Sequence, residues 1–250
     1  MKRLFLLIVL TVGLVAPVWA EYQAGVDTVW LRDTRGLRSP AMIALAPVYS
    51  RGDYAGVLRV VRPLAESGDG EAQAYLAHLY ATGRGVSKDH AQGIEWIIRA
   101  AKNGIPVAQH TLARLTYNGQ GGVPRDEKEA IRLLTAAAEQ NDTYAIEQLG
   151  RAYNQGNGVV RDTAEAMRWW RRGVALNSGL SMWNIGFSRI TGNDVVEGYK
   201  WMALGIKYLE PGVDPRQFRA ELGYFSKTKM TPDQVAEAER LVGEWKPREK

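Results

Sequence analysis

The chain has 250 residues, 46% apolar and 24% charged, proportions of a folded protein with one or two cores or one elongated repeat array. Its formal charge is +5; without Lys2 and Arg3, 30 basic face 27 acidic residues, interspersed, which excludes a nucleic-acid-binding stripe. Cysteine is absent, which excludes disulfides, thiolate nucleophiles and cysteine metal sites.

The first twenty residues, MKRLFLLIVLTVGLVAPVWA, combine a basic start, an apolar run from Leu4 to Val15, Pro17, and small residues at Val18 and Ala20. That is the pattern of a cleaved secretory signal, with the cut expected after Ala20. The run is shorter than the roughly 20 apolar residues of a spanning helix. In a Gram-negative bacterium the mature chain would rest in the periplasm, held together by packing alone. Residues 21–39 read as a loosely ordered lead. Residues 40–71 read as a degenerate first helical repeat that turns at Gly52-Asp53 and is expected to bend at Pro63.

From Ala72 the chain repeats itself. Units start at Ala72, Ala108, Ala145 and Ser181, spaced 36, 37 and 36 residues apart, and occupy 72–107, 108–144, 145–180 and a shortened 181–210. Leu76, Leu112, Leu149 and Ile185 correspond, as do Trp96, Leu133, Trp169 and Trp201. Small residues recur at Ala77, Ala113, Gly150 and Gly186, and again at Gly93, Ala130, Ala166 and Gly198, so that paired helices can approach closely. Each second helix opens at an aspartate followed three residues later by Gln or Glu (Asp89 and Gln92, Asp126 and Glu129, Asp162 and Glu165), the capping-box pattern.

The stretch GRGVSKD at 83–89 contains two glycines and a lysine, but it is the same element as GQGGVPRD and GNGVVRD. Gly83, Gly85, Gly119, Gly121, Gly156, Gly158 and Gly192 are therefore assigned to structural turns that end the first helix of each unit. A phosphate loop would follow a strand and read GxxxxGK[ST], and neither condition is met. Residues 211–250 read as two capping helices, the second opened by Thr231, Pro232 and Gln234, over the open end of the stack.

The unit pattern, A-x3-LG-x2-Y-x2-G-x-G-V-x2-D-x3-A-x2-W-x3-AA, resembles the Sel-one-like repeat (SLR) family of tetratricopeptide-like helical hairpins. The resemblance covers residues 72 to about 209. It implies an all-α fold, a right-handed α/α superhelical solenoid whose first helices line a concave face. It also implies ligand-facing positions two, three, six, nine and ten residues after each unit start. Those positions place Tyr75 and His78, then His110, Arg114, Tyr117 and Asn118, then Glu147, Gln148, Arg151 and Asn154, and finally Trp183, Asn184 and Phe187 in the groove. Arg114 and Arg151 share one offset and suit carboxylates, with pairing to acids such as Glu147 as the structural alternative. Trp183 has no counterpart, its equivalents being Ala74, His110 and Glu147, so surface and core positions both stay open for it.

No catalytic constellation is evident. His78, His90 and His110 form no metal-ligand spacing, and no G-x-S-x-G elbow occurs. Glu129 and Glu165 recur because caps recur. The resemblance implies a non-catalytic scaffold or adaptor that binds a protein or peptide, for instance a cell-envelope enzyme, with no cofactor, metal or nucleic acid. Two alternatives are a peptidoglycan or glycan binder, with Trp183, Phe187 and Tyr117 stacking on sugars, and a hydrolase of the β-lactamase-like type known among cysteine-rich SLR proteins. The lack of cysteine departs from that last group.

Overall fold

A computed structural model describes residues 39–247, so the leader and all but the last residue of the expected lead fall outside the described residues. The described residues form twelve helices and no strand: α1 Pro40–Ser50, α2 Tyr54–Glu66, α3 Gly70–Thr82, α4 His90–Lys102, α5 Pro106–Asn118, α6 Glu127–Glu139, α7 Thr143–Gln155, α8 Thr163–Ala175, α9 Gly179–Thr191, α10 Val195–Lys207, α11 Arg216–Lys229 and α12 Pro232–Glu244. Consecutive helices pack as antiparallel hairpins from α1 to α10, and each hairpin packs on the next, giving an all-α repeat solenoid. Helices of 13 residues are marginal alone in water, so side-by-side packing of their apolar faces supplies the stability.

The turns follow the repeat. Gly83, Gly119 and Gly156 end α3, α5 and α7 with φ of 74°, 65° and 81°, a left-handed conformation that glycine reaches without steric cost. Gly85, Gly121 and Gly158 are left-handed as well, while Val86 packs back on the core. Gly192 differs from its counterparts: its φ is −87°, and Asn193 takes the left-handed position at 67°. The shortened loop of this unit moves the reversal one residue on. A second series escaped the sequence reading. Gly68, Gly104, Asn141 and Asn177, also 36, 37 and 36 residues apart, join each hairpin to the next with φ of 102°, 78°, 66° and 61°.

Asp89, Asp126 and Asp162 cap α4, α6 and α8, each accepting from the N–H three residues on at 3.0 Å. The reciprocal half of the expected capping boxes is not made: Glu129 turns to Arg132 and Glu165 to Arg168. Among the described helices the complete box belongs to Thr231 and Gln234 at α12. The helix α2 runs on through Pro63 to Glu66.

The core is built as a series of clusters along the stack. Met42, Val57, Val61 and Leu76 pack in the first hairpins, Leu133, Ala137, Ile146 and Leu149 in the middle, and Trp183 and Met202 near the end. Trp170 is the most deeply buried tryptophan among the described residues, at 1% exposure, and lies against the face of Gly150. Trp96 and Trp201, which correspond to the buried Trp169, are only half-buried and carry Arg99 and Lys200 over their rings.

Helix α11 starts 37 residues after α9, and α12 starts 16 after α11, the same offset as α10 from α9. These two helices are in register to form one more hairpin, yet they do not pack as one. Met230 and Thr231 between them are extended, which carries α12 away from α11 and onto α10. There Trp245 lies edge-on to Trp201 and Tyr208, at 6.4 and 5.1 Å.

Candidate functional site

The first helices of successive hairpins, α3, α5, α7 and α9, present one face of the stack, and the residues expected in the groove project from them. The two ends of this face are covered. At the N-terminal end, Tyr75 is 1% exposed, with the Tyr49 ring of α1 edge-on at 6.1 Å. Its hydroxyl has no hydrogen-bond partner among the described residues, and burial pushes it far above the usual tyrosine range. His78 is buried too, its Nε2 3.0 Å from the Tyr49 hydroxyl, which also accepts from Arg84. At the C-terminal end, Trp183 is buried and packs edge-on against Phe218 of α11, with ring centroids 4.8 Å apart. Phe187 meets Phe225 of the same helix at 6.2 Å. Of the two positions left open for Trp183, the structure has the core: α11 folds over it. Two of the three aromatics proposed to stack on sugars already have an aromatic partner within the chain.

The middle of the face, α5 and α7, holds a connected polar group. His110 Nδ1 is 2.9 Å from Asp142 Oδ2, and the other oxygen of Asp142 caps α7 by accepting from Ala145 N–H at 2.8 Å. Burial works against the Asp142 charge, but His110 and the backbone N–H groups of Ala145 and Tyr144 together hold its carboxyl below the usual range. The His110 ring lies 4.7 Å from Tyr144. Burial raises the Tyr144 hydroxyl well above its ordinary value, while Arg114 and Arg151 both pull the other way, so both guanidinium charges act at this one hydroxyl.

Glu147 is buried at 5% exposure. It accepts from Asn184 Nδ2 at 3.1 Å, receives the Gln148 amide, and lies 3.7 Å from Arg151. Burial still outweighs these contacts and raises its carboxyl above the usual range. The acid pairing raised as an alternative for Arg151 is thus present. Tyr117 is half-buried against the middle core, and Asn118 is exposed, with its amide donating to Arg114 O within α5. Gln148 and Asn154 are half-buried.

In the second, third and fourth units the residue two positions after the start belongs to a seam between repeats. His110 reaches Asp142, Glu147 reaches Asn184 and Trp183 reaches Phe218, each time on or just before the next first helix. The open stretch is accordingly smaller than the thirteen residues expected: Arg114, Tyr117, Asn118, Gln148, Arg151 and Asn154.

Sequence reasoning also missed an amide ladder at the seams. Asn103 Nδ2 donates to Gly68 O and to Gln73 Oε1, and Gln140 Nε2 donates to Gly104 O and to Gln109 Oε1. The signal was available, since Gln73 and Gln109, and Asn103 and Gln140, share repeat positions.

Comparison with known proteins agrees with this architecture. The Sel1 repeat family model matches residues 70–105, 106–142 and 143–178. Each matched unit starts on the first residue of α3, α5 or α7, two residues before the recurring alanine that marks the first buried position. A Sel1 repeat protein from Oxalobacter formigenes is 31% identical, with 50% of this chain and 92% of that chain covered and a TM-score of 0.47. The protective antigen c5321 of uropathogenic Escherichia coli strains, described as displaying an SLR fold, is 22% identical with a TM-score of 0.57. The match covers 92% of this chain and 56% of that one, a likeness of fold alone. No curated protein matches the sequence. With three consecutive matched units, each a glycine-closed helix followed by an aspartate-capped one, the chain belongs to the Sel1 repeat family.

Proposed function

We propose that this protein is a non-catalytic binding module of the bacterial cell envelope that holds a segment of a partner protein on the open face of α5 and α7. Sel1 repeats generally serve as protein-interaction modules. The observation that carries the reading is the coverage of the face: Tyr49 of α1 and Phe218 and Phe225 of α11 take its two ends, leaving the stretch from Arg114 to Asn154 between them. That stretch offers amides, a tyrosine and two guanidinium groups. The carboxyl among them, Glu147, is buried and held toward its neutral form. Such a surface suits a segment with exposed carbonyls and at least one carboxylate.

The envelope location rests on the leader at residues 1–20. N-terminal sequencing of protein recovered from a periplasmic fraction should read from Glu21. Among the described residues no helix is long and apolar enough to cross a membrane.

The binding reading is tested by placing a photo-crosslinking amino acid at Asn118 or Asn154, and for comparison at the exposed Lys128 of α6 or Arg171 of α8. Irradiation in an envelope extract should yield one discrete adduct from the first two sites and none from the second two. Equal labelling from both faces, or none from α5 and α7, refutes the assignment. Substituting Arg151 is a poor test, because it also removes the 3.7 Å contact with Glu147 and so disturbs the seam beneath the face.

A further inference from the structure

Five buried side-chain polar atoms lack a hydrogen-bond partner among the described residues, and three of them belong to one joint: Asn177 Oδ1, Ser181 Oγ and Glu210 Oε2. The joint is where α8 gives way to α9, the entry to the fourth repeat. Asn177 makes the left-handed turn, Ser178 caps α9, and Ser181 lies in its first turn. The chain returning from α10 closes over this turn. Glu210 Oε1 accepts from Ser178 Oγ at 2.9 Å, and that oxygen accepts from Ser181 N–H at 3.3 Å. The closure is tight: a Cβ on Gly179 would stand 2.4 Å from the Tyr208 carbonyl.

A second buried carboxyl, Glu147 of α7, spans the same joint by accepting from Asn184 of α9. The groups around the two carboxyls are mostly uncharged. Glu147 has Arg151, Gln148 and Tyr144 on its own helix, Asn184 on α9, the Trp170 indole of α8 at its backbone carbonyl, and Arg114 of α5 acting on Tyr144. Glu210 has its own backbone N–H, Ser178, Glu147 and the Leu180 N–H, and no basic partner among the described residues. If both were ionised, two negative charges would share one low-dielectric joint, with Arg151 as the adjacent cation among the described residues.

We propose that this joint is a proton-operated hinge: protonated Glu147 and Glu210 keep the third and fourth repeats closed on one another, and loss of those protons loosens the contact. Burial raises both carboxyls above their ordinary value of 4.5, and the Glu147 charge pushes Glu210 the same way. The sign follows from linkage. Between 4.5 and the raised values the closed form holds protons that the open form has released, so each step up in pH weakens closure, and the loss is complete above them. Helix α9 carries Trp183, on which α11 rests, so opening swings the C-terminal helices away from the open face of α5 and α7. The hinge stands on its own geometry, whether or not that face binds a partner.

The cysteine-free chain allows a direct test. Cysteines placed at the exposed Asn118 of α5 and Lys227 of α11 in the full chain carry spin labels. Their distance distribution should be narrow near pH ~5 and broadened or displaced near pH ~8.5, and narrow at both in the Glu147→Gln, Glu210→Gln double variant. An unchanged distribution in the wild type, or the same change in the double variant, overturns the proposal. Amide exchange on the unmutated chain gives an independent reading. Corrected for intrinsic rates, protection in residues 179–191 should fall by up to about tenfold per pH unit per proton relative to residues 127–139. A parallel course in the two helices overturns it equally.

Discussion

Replacing Gly186 by alanine probes the feature on which the hairpin geometry depends, the close approach of α9 and α10. A Cβ at Gly186 would lie 2.6 Å from Gly198 O, 2.6 Å from Met202 N and 2.6 Å from Met202 Cγ. Two of these atoms are backbone, so no side-chain rotation relieves the contact and the helices themselves must separate. Two terms compete. Alanine gains about 1 kcal/mol over glycine inside a helix. Overpacking a close-packed site costs about 1–3 kcal/mol, and backbone obstruction places this site at the upper end. The expected net is a loss of about 1–2 kcal/mol, which for a chain of this size lowers the melting temperature by about 2–8 °C. Thermal and urea unfolding followed by far-ultraviolet circular dichroism measure it. Gly223 of α11 is the internal control, since nothing lies within 4 Å of its Cβ direction, and Gly223→Ala should gain the propensity term of about 1 kcal/mol or less. If Gly186→Ala melts at or above the wild type, backbone approach does not limit the α9–α10 pair and the argument from small residues fails.

Gly156→Ala should cost about 1–3 kcal/mol for its left-handed φ of 81°, whereas Gly192→Ala, at −87°, should be nearly neutral; equal urea midpoints for the two would contradict the turn assignment. Tyr75→Phe removes a buried hydroxyl with no hydrogen-bond partner among the described residues, so stability should hold or rise by up to about 1–3 kcal/mol, and a clear loss in calorimetry would reveal a partner for that oxygen. The Asp142 carboxyl is held below its ordinary value of 3.8, so the stability it contributes is complete above 3.8 and lost as pH falls through the lower folded value. Asp142→Asn keeps a capping oxygen but should flatten that acid limb of the stability curve. Trp183→Ala should cost about 3–5 kcal/mol, in keeping with burial under α11, and a surface-like change below about 0.5 kcal/mol would reopen its exposure.

What the sequence alone determined is the part written in local, repeated chemistry. Glycine where φ must be positive, aspartate where a helix has free N–H groups, and alanine where two backbones meet are demands met within a few residues of chain, and they recur every 36 or 37 positions. The number and order of the central hairpins follow from them. The site was legible only in part. Arg114, Tyr117, Asn118, Gln148, Arg151 and Asn154 stay on the open stretch, but nothing in the residue types marks Tyr75, His78, Trp183 and Phe187 as covered. Their covers come from Tyr49 and from Phe218 and Phe225, on helices outside the clear repeat. The same holds for α11 and α12, whose spacing asks for one more hairpin while the extended Met230–Thr231 link forbids it. Burial decides the rest. Whether Glu147 and Glu210 stand in water or in a joint depends on which distant segments close over them, and burial there raises both carboxyls above their ordinary range. Periodicity is a property of neighbours along the chain, whereas exposure and charge state belong to neighbours in space.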